Sequence, residues 1–147
     1  MSINTKQLRD LIVRPTLTGM GMWSESAENL LLGTAAQESH LGHYLKQVGK
    51  GPALGIYQCE PATHNDIARW AKLKGLPYAD ASPERLVYDL RYATQVCRLH
   101  YYRKPGALPA ANDIEGLAAY WKKHYNTSLG AGKPEEFVQN YKRFVLG

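Results

Sequence analysis

Signals that begin an α-helix recur along this chain, and apolar residues at helical spacing follow each of them. Ser24 is a suitable N-cap with Glu25 and Glu28 in the following turn, and Pro61 and Pro134 each suit the first turn of a helix. These signals cover most of the 147 residues. They predict a mainly α-helical fold with about six helices.

Local signals also bound the predicted helices. The first covers residues 4–13 and is expected to stop at Pro15. The second runs from Ser24 to a left-handed cap near Gly42. The later helices are expected to begin at Pro61, at Ser82-Pro83-Glu84, at a capping box formed by Asn112 and Glu115, and at Lys133-Pro134-Glu135.

Two glycine-rich stretches interrupt this helical pattern. Residues 43–58 hold three glycines and a proline, and residues 126–133 hold two glycines. Loops of this kind in a compact domain tend to carry function. The first leaves room for a short β-hairpin near residues 53–58. Because there is no repeat or linker, residues 1–147 are expected to form one domain.

Composition and charge disfavour several classes of protein. The chain is 44% hydrophobic and 21% charged, as globular proteins are. No stretch approaches the roughly 18 apolar residues of a membrane helix, and the N-terminus lacks the apolar stretch of a signal peptide. The net charge of +5 favours an anionic partner, but the basic residues are scattered and form no nucleic-acid-binding motif. Neither nucleic acid binding nor membrane insertion is expected.

The histidines and cysteines do not indicate a metal site. His40 and His43 are three residues apart without an HExxH pattern, and zinc needs three or four convergent ligands. Cys59 and Cys97 are far apart in the sequence and are expected to be buried thiols. No metal or cofactor is expected.

Glu38 is the carboxylate whose position in the sequence best suits acid–base catalysis. It lies near the end of the second predicted helix, and Leu31, Thr34 and Ala35 share its face. Burial of that face and the negative end of the helix dipole would both raise its pKa. A general acid at a glycosidic oxygen requires such a protonated carboxyl near neutrality. The alternative is a partly exposed helix-end glutamate without a role.

Several short motifs follow Glu38 in order. Glu38-Ser39 is followed by a loop, by Gly55-Ile56-Tyr57-Gln58, by Pro61-x-Thr63, and by a tyrosine and Asn126 ahead of Gly130 and Gly132. This order, over about residues 28–132, resembles the soluble lytic transglycosylase and goose-type lysozyme superfamily. The final part also resembles bacteriophage wall-degrading proteins. The family's Tyr-Asn pair is split here, so either Tyr120 or Tyr125 can hold the tyrosine position.

The resemblance implies a lysozyme-like fold and an enzyme that needs no cofactor. Its substrate would be peptidoglycan, cleaved at the β-1,4 bond between N-acetylmuramic acid and N-acetylglucosamine. Glu38 would act as acid and then as base while the muramoyl 6-hydroxyl attacks. The implied place of action is the bacterial cell wall in the periplasm, including as a phage lysis or virion protein. The implied substrate-binding residues are Ser39, Tyr57, Gln58, Tyr120, Tyr125 and Asn126.

Other functions stay open at this point. A muramidase, chitinase or chitosanase would activate water, usually with a second carboxylate about 5–9.5 Å away. Glu60 and Asp66 flank the loop, but Glu60 is interpreted as a helix-start residue and Asp66 as a first-turn charge, which favours the transglycosylase reaction. A wall-binding or virion module without turnover is a third interpretation, and a small basic nucleic-acid binder is a fourth.

Overall fold

The helical prediction is confirmed by a computed structural model, which describes residues 2–147 as a mainly α-helical, single-domain fold. Three of its helical segments are π-helical and continue the α-helix before them. No helix among the described residues is long and apolar enough to cross a membrane. The elements in chain order are α1 (Thr5–Gln7), a π segment (Leu8–Val13), α2 (Arg14–Gly19), α3 (Glu25–Ser39), α4 (Pro61–Leu73), α5 (Arg85–Tyr88), α6 (Leu90–Tyr102), α7 (Ile114–Trp121), a π segment (Lys122–Asn126), α8 (Pro134–Asn140) and a π segment (Tyr141–Leu146).

The prediction that Pro15 ends the first helix is wrong. Residues 5–19 form one helical run, in which the π segment joins α1 to α2. Within this segment a backbone N–H bonds five residues back, as from Arg14 to the carbonyl of Arg9. The wider turn comes directly before the proline, whose ring would otherwise meet the carbonyl four residues earlier, so the helix continues.

The central helix is α3. The Ser24 hydroxyl accepts from the Ala27 N–H at 3.0 Å, which confirms the predicted N-cap. The successive leucines at positions 30–32 are all fully buried, because α6, α7 and α8 surround the helix. The predicted cap at Gly42 is displaced, since His40 takes the left-handed C-cap position with a φ of 49°. Leu41 and Gly42 are left-handed as well, so the chain turns sharply after α3.

Two aspartates define helix starts that the sequence pattern placed elsewhere. The single long helix expected from residue 82 is divided at Asp89, which is extended and accepts from the Tyr92 N–H at 2.9 Å. The cap of α7 is Asp113, which accepts from the Gly116 N–H at 2.9 Å, and not Asn112. Both carboxylates satisfy N–H groups that the first turn of a helix leaves unpaired.

Two proline starts are confirmed, since α4 begins at Pro61 and α8 at Pro134. The hairpin expected near residues 53–58 is reduced to isolated bridges, one of them between Leu54 and Cys59. Gly55 is required in this loop, because its φ is 82° and a Cβ would lie 2.3 Å from the Leu86 carbonyl oxygen. Cys59, like Cys97, is buried and free.

Candidate active site

A cleft of about 760 Å³ opens beside the C-terminal end of α3. Four of the predicted site residues line it, namely Glu38, Gln58, Tyr125 and Asn126. They come from three separate parts of the sequence: the end of α3, the loop before α4, and the π segment after α7. The fold therefore brings the centre of the predicted constellation together in one concave surface.

Glu38 contributes a half-buried carboxyl group to this cleft. Its Oε2 accepts a hydrogen bond of 2.9 Å from Nε1 of Trp121, and its backbone carbonyl accepts one of 2.9 Å from the Tyr44 hydroxyl. Burial raises the pKa of Glu38 to about 7, and the Trp121 hydrogen bond opposes that rise. Both protonation states are therefore populated near neutral pH, as a group that both gives and takes a proton requires.

Trp121 is the partner that the sequence reasoning missed. It ends α7, is fully buried, and lies one residue after Tyr120, which was predicted as a substrate-binding residue. The glycine-rich turn packs against its ring, since a Cβ on Gly132 would lie 2.6 Å from the indole. The only sequence signal was a tryptophan at the end of an amphipathic helix, which is typical of a core residue.

Ser39 does not line the cleft, so the structure does not place it where the predicted substrate contact needs it. The residue is fully buried, and its hydroxyl donates to the Ile56 carbonyl at 2.6 Å and accepts from the Gly42 N–H at 2.9 Å. These bonds attach the end of α3 to the Gly-Ile-Tyr-Gln loop. Ser39 is thus a positioning residue for its neighbour Glu38.

The Gly-Ile-Tyr-Gln loop presents one of its two predicted side chains to the cleft. Tyr57 is 2% exposed, and its hydroxyl pairs with the Thr94 hydroxyl at 2.9 Å, so it is a core residue and not a substrate contact. Gln58 lines the cleft with a φ of 50°. Its Nε2 donates to the Gly55 carbonyl at 2.9 Å, which orients the amide.

Of the two candidate tyrosines, Tyr125 is the one that reaches the cleft. Its hydroxyl donates to the Tyr57 carbonyl at 2.5 Å, and its ring stacks on His100 with centroids 4.6 Å apart. Tyr120 is half-buried against Tyr101 and His124 and lies outside the cleft lining. Of the two tyrosines, Tyr125 is therefore the one placed to contact a ligand in the cleft.

Asn126 is held by the turn that follows it. Its Oδ1 accepts from Nζ of Lys122 at 2.7 Å, and the same Nζ donates to the Gly130 carbonyl at 3.1 Å. A Cβ on Gly130 would lie 2.5 Å from the Asn126 amide, so the turn can close over the amide only with glycine there. The amide is thereby fixed at the cleft.

The two other candidate carboxylates have different surroundings. Glu60 is exposed at the cleft and occupies the N-cap position of α4, yet its side chain makes no capping hydrogen bond. Asp66 lies outside the cleft lining and pairs with Arg103 at 2.9 Å and with Arg69 at 3.5 Å. Of these two candidates, Glu60 is therefore the one available as a second carboxylate at the cleft.

A further wall of the cleft comes from the C-terminal end of α6, which sequence reasoning did not assign to the site. His100, Arg103 and Lys104 line the cleft there. Within residues 2–147, no group of three or more histidine, cysteine, aspartate or glutamate side chains is placed to hold a metal ion.

Comparison of the chain with protein-family models, with curated proteins and with solved structures finds no match. Any functional assignment therefore rests on the residues of the cleft and on their geometry.

Proposed function

We propose that the protein cleaves the β-1,4 bond between N-acetylmuramic acid and N-acetylglucosamine in peptidoglycan, as a lytic transglycosylase acting on the bacterial cell wall. One observation carries the proposal: Glu38 is a half-buried carboxyl in an open cleft with a pKa of about 7. A perturbed carboxyl in a cleft is a candidate for acid–base chemistry on physical grounds. The net charge of +5 suits an anionic polymer.

In the proposed reaction, protonated Glu38 gives its proton to the glycosidic oxygen, which leaves as a hydroxyl of N-acetylglucosamine. Positive charge develops at C1 of the muramoyl sugar. The Glu38 carboxylate then takes the proton of the muramoyl 6-hydroxyl, and that oxygen bonds to C1 to close a 1,6-anhydro ring. Glu38 ends the cycle protonated. The Trp121 N–H at 2.9 Å stabilises the carboxylate between the two transfers.

The amides at the cleft support a carbohydrate substrate. Gln58 and Asn126 are each oriented by a hydrogen bond and line the same cleft as Glu38. Side-chain amides both donate and accept, so they suit sugar hydroxyl and acetamido groups. Because Tyr125 is already bonded to the Tyr57 carbonyl, its ring is held in place before a substrate arrives.

The direct experiment measures fragments released from purified cell walls. We expect Glu38→Gln to lower turnover by about 10²- to 10⁴-fold, the usual contribution of a general acid, while its circular dichroism spectrum matches the wild type. Glu115→Gln is the matched control, because Glu115 is exposed on α7 and lies outside the cleft lining. Full turnover by Glu38→Gln would overturn the proposal. Binding to walls without any released fragment would favour a wall-binding or virion module.

A glycoside hydrolase is the second candidate, and the exposed Glu60 carboxylate at the cleft is the observation that favours it. A hydrolase would use that group to activate water. Mass spectrometry of the digest separates the two reactions, since 1,6-anhydro ends indicate transglycosylation and reducing ends indicate hydrolysis. We expect anhydro ends, and we expect Glu60→Gln to retain turnover. Reducing ends together with an inactive Glu60→Gln variant would favour the hydrolase.

A further inference from the structure

A second pocket, of about 740 Å³, lies beside α4 and shares no lining residue with the cleft that contains Glu38. One wall is α4 itself, and the other is the loop that follows it, residues 75–81. Ligand-binding pockets have volumes of about 300–1,000 Å³. This α4 pocket therefore has the size of a binding site, and the proposed reaction makes no use of it.

Hydrogen bonds hold both walls of the α4 pocket in place. Nε2 of His64, a residue that is 1% exposed, pairs with the Tyr92 hydroxyl at 2.7 Å, and the Ala81 N–H donates to the same hydroxyl at 3.1 Å. At the other end of the loop, the Leu76 N–H donates to the Ala71 carbonyl at 2.9 Å. The pocket is therefore formed before a ligand arrives, so binding does not require a wall to become ordered.

The two walls differ in chemistry. Asn65, Arg69 and Lys72 line the α4 wall at helical spacing, so they share one face of the helix. The pair between Arg69 and Asp66 at 3.5 Å joins two exposed side chains and is weak, which leaves Arg69 available to a ligand. The loop wall presents small or apolar side chains and one carboxylate, namely Leu76, Pro77, Ala79, Ala81 and Asp80.

These walls select a ligand that carries charges of both signs on a small apolar body. A simple anion would suit Arg69 and Lys72 but would meet the negative charge of Asp80, and a simple cation would have the reverse problem. A short peptide with small side chains, a carboxylate and an amine avoids both repulsions. Its backbone carbonyls can also accept from the side-chain amide of Asn65.

The α4 pocket and the cleft adjoin along one helix. Thr63 in the first turn of α4 lines the cleft, and Lys72 near its end lines the pocket. The separation is 72 − 63, or nine residues, which is about 14 Å of helix. Four residues of extended peptide span about 13 Å. Asp66 lies between the two sites and pairs with Arg103 of the cleft and with Arg69 of the pocket.

We propose that the α4 pocket binds the stem peptide of the peptidoglycan strand whose sugars occupy the cleft. This peptide is attached to the muramoyl sugar and combines alanines with an acidic and a diamino residue. A carboxylate of the peptide lies against Arg69 and Lys72, its methyl groups pack on the loop wall, and its free amine faces Asp80. This inference rests on the proposed function and specifies its substrate.

The test is an NMR titration of the whole chain with the synthetic tetrapeptide L-Ala-γ-D-Glu-L-Lys-D-Ala, which follows the backbone amide shifts. We expect saturable shifts at Asn65, Ala68 and Ala81 in the pocket, and none at Gln58 and Asn126 in the cleft. The absence of saturable shifts at millimolar peptide, or shifts confined to cleft residues, overturns the proposal.

Two variants and a matched control support this measurement. Lys72→Gln removes one pocket cation and should raise the dissociation constant of the tetrapeptide about fivefold, the upper end for an exposed charge pair. Ala68→Leu places a larger side chain in the pocket without changing a charge and should weaken binding as well. Lys74→Gln is the control, because Lys74 is exposed at the end of α4 outside the pocket lining. Wild-type binding by both pocket variants overturns the proposal, and Lys72→Gln decides alone if Ala68→Leu does not fold.

A second peptide tests the other possible occupant, a segment of another protein. This probe is an all-L, α-linked tetrapeptide of the same composition. Tighter binding of the stem tetrapeptide supports the proposal, and equal or tighter binding of the all-L peptide overturns it. The titration uses a free peptide and does not depend on turnover. Full turnover by Glu38→Gln is therefore a separate result, which overturns the proposed function instead.

Discussion

Replacing Glu38 by glutamine should stabilise the protein at alkaline pH and leave its stability almost unchanged in acid. The pKa of Glu38 is about 7 in the folded protein against an ordinary value of 4.5. The difference is 7 − 4.5, or about 2.5 pH units, and each unit corresponds to about 1.36 kcal/mol. Ionisation of Glu38 in the folded state therefore lowers the free energy of unfolding by about 3 kcal/mol.

The direction follows from proton binding. Between pH 4.5 and 7 the folded state holds the Glu38 proton and the unfolded chain releases it, so stability falls as the pH rises through this window. Glutamine has no proton to lose and can still accept from the Trp121 N–H. Urea unfolding at pH 4, 6 and 8 should show a variant-minus-wild-type difference near zero at pH 4 and about 3 kcal/mol at pH 8. Contributions of all other groups are shared by both proteins and cancel.

Glu28, on the same helix, provides a control, because the stability change expected for Glu28→Gln has the opposite sign. Burial acts to raise its pKa, but hydrogen bonds from Arg14 at 2.7 and 2.9 Å and from Trp23 at 3.0 Å outweigh burial and lower the pKa overall. Glu28→Gln should therefore destabilise the protein most at neutral pH, and the loss should shrink as the pH falls through the carboxyl's range. If the difference in free energy of unfolding between Glu38→Gln and the wild type did not change with pH, burial would not be raising the pKa of Glu38. Equal signs for both variants would indicate a general effect of removing negative charge from a +5 chain.

Three further substitutions, and a fourth as a control, test the remaining contacts of the site. Trp121→Phe removes the N–H that lowers the pKa of Glu38. The alkaline limb of the pH–rate profile should therefore move to higher pH while kcat falls. An unchanged alkaline limb would contradict the role of the indole. Ser39→Ala leaves a buried loop carbonyl unpaired and should cost about 1–3 kcal/mol in urea unfolding, with KM for soluble strands unchanged. Tyr125→Phe removes a hydrogen bond worth about 1 kcal/mol and should reduce turnover, whereas Tyr120→Phe should leave wall digestion at the wild-type rate.

The starts of several helices could be predicted because the signals are local. A serine hydroxyl at residue 24 or a proline at residues 61 and 134 acts on backbone groups within one turn. The break at Asp89 was missed because Leu86 and Leu90, on either side of it, keep helical spacing. The spacing of apolar residues indicates which residues face the core. Two short helices that pack against one core keep the same apolar spacing as one long helix, so the spacing does not reveal a break between them.

The site was predictable in position more than in detail. The helix end and apolar face of Glu38 are local features, so its burial could be anticipated. Its hydrogen-bond partner could not, because Trp121 is 83 residues away and only tertiary packing brings the indole to the carboxyl. A motif also does not tell whether a polar side chain faces the cleft or the core. Ser39 and Tyr57 were therefore assigned to the substrate, although both satisfy groups inside the protein.

Two of the three glutamates of α3, Glu28 and Glu38, show how one helix can hold a carboxyl that stays ionised and another that stays partly protonated. Glu28, near its N-terminus, is surrounded by donors and stays ionised. Glu38, near its C-terminus, has one indole donor against its burial, and this shortage of partners keeps its pKa near 7. A cation beside it would lower that pKa and remove the proton that the proposed reaction needs. Arg103 lines the basic wall of the cleft, but its guanidinium pairs with Asp66. This cation therefore neutralises a carboxylate other than Glu38, and Glu38 can keep its proton.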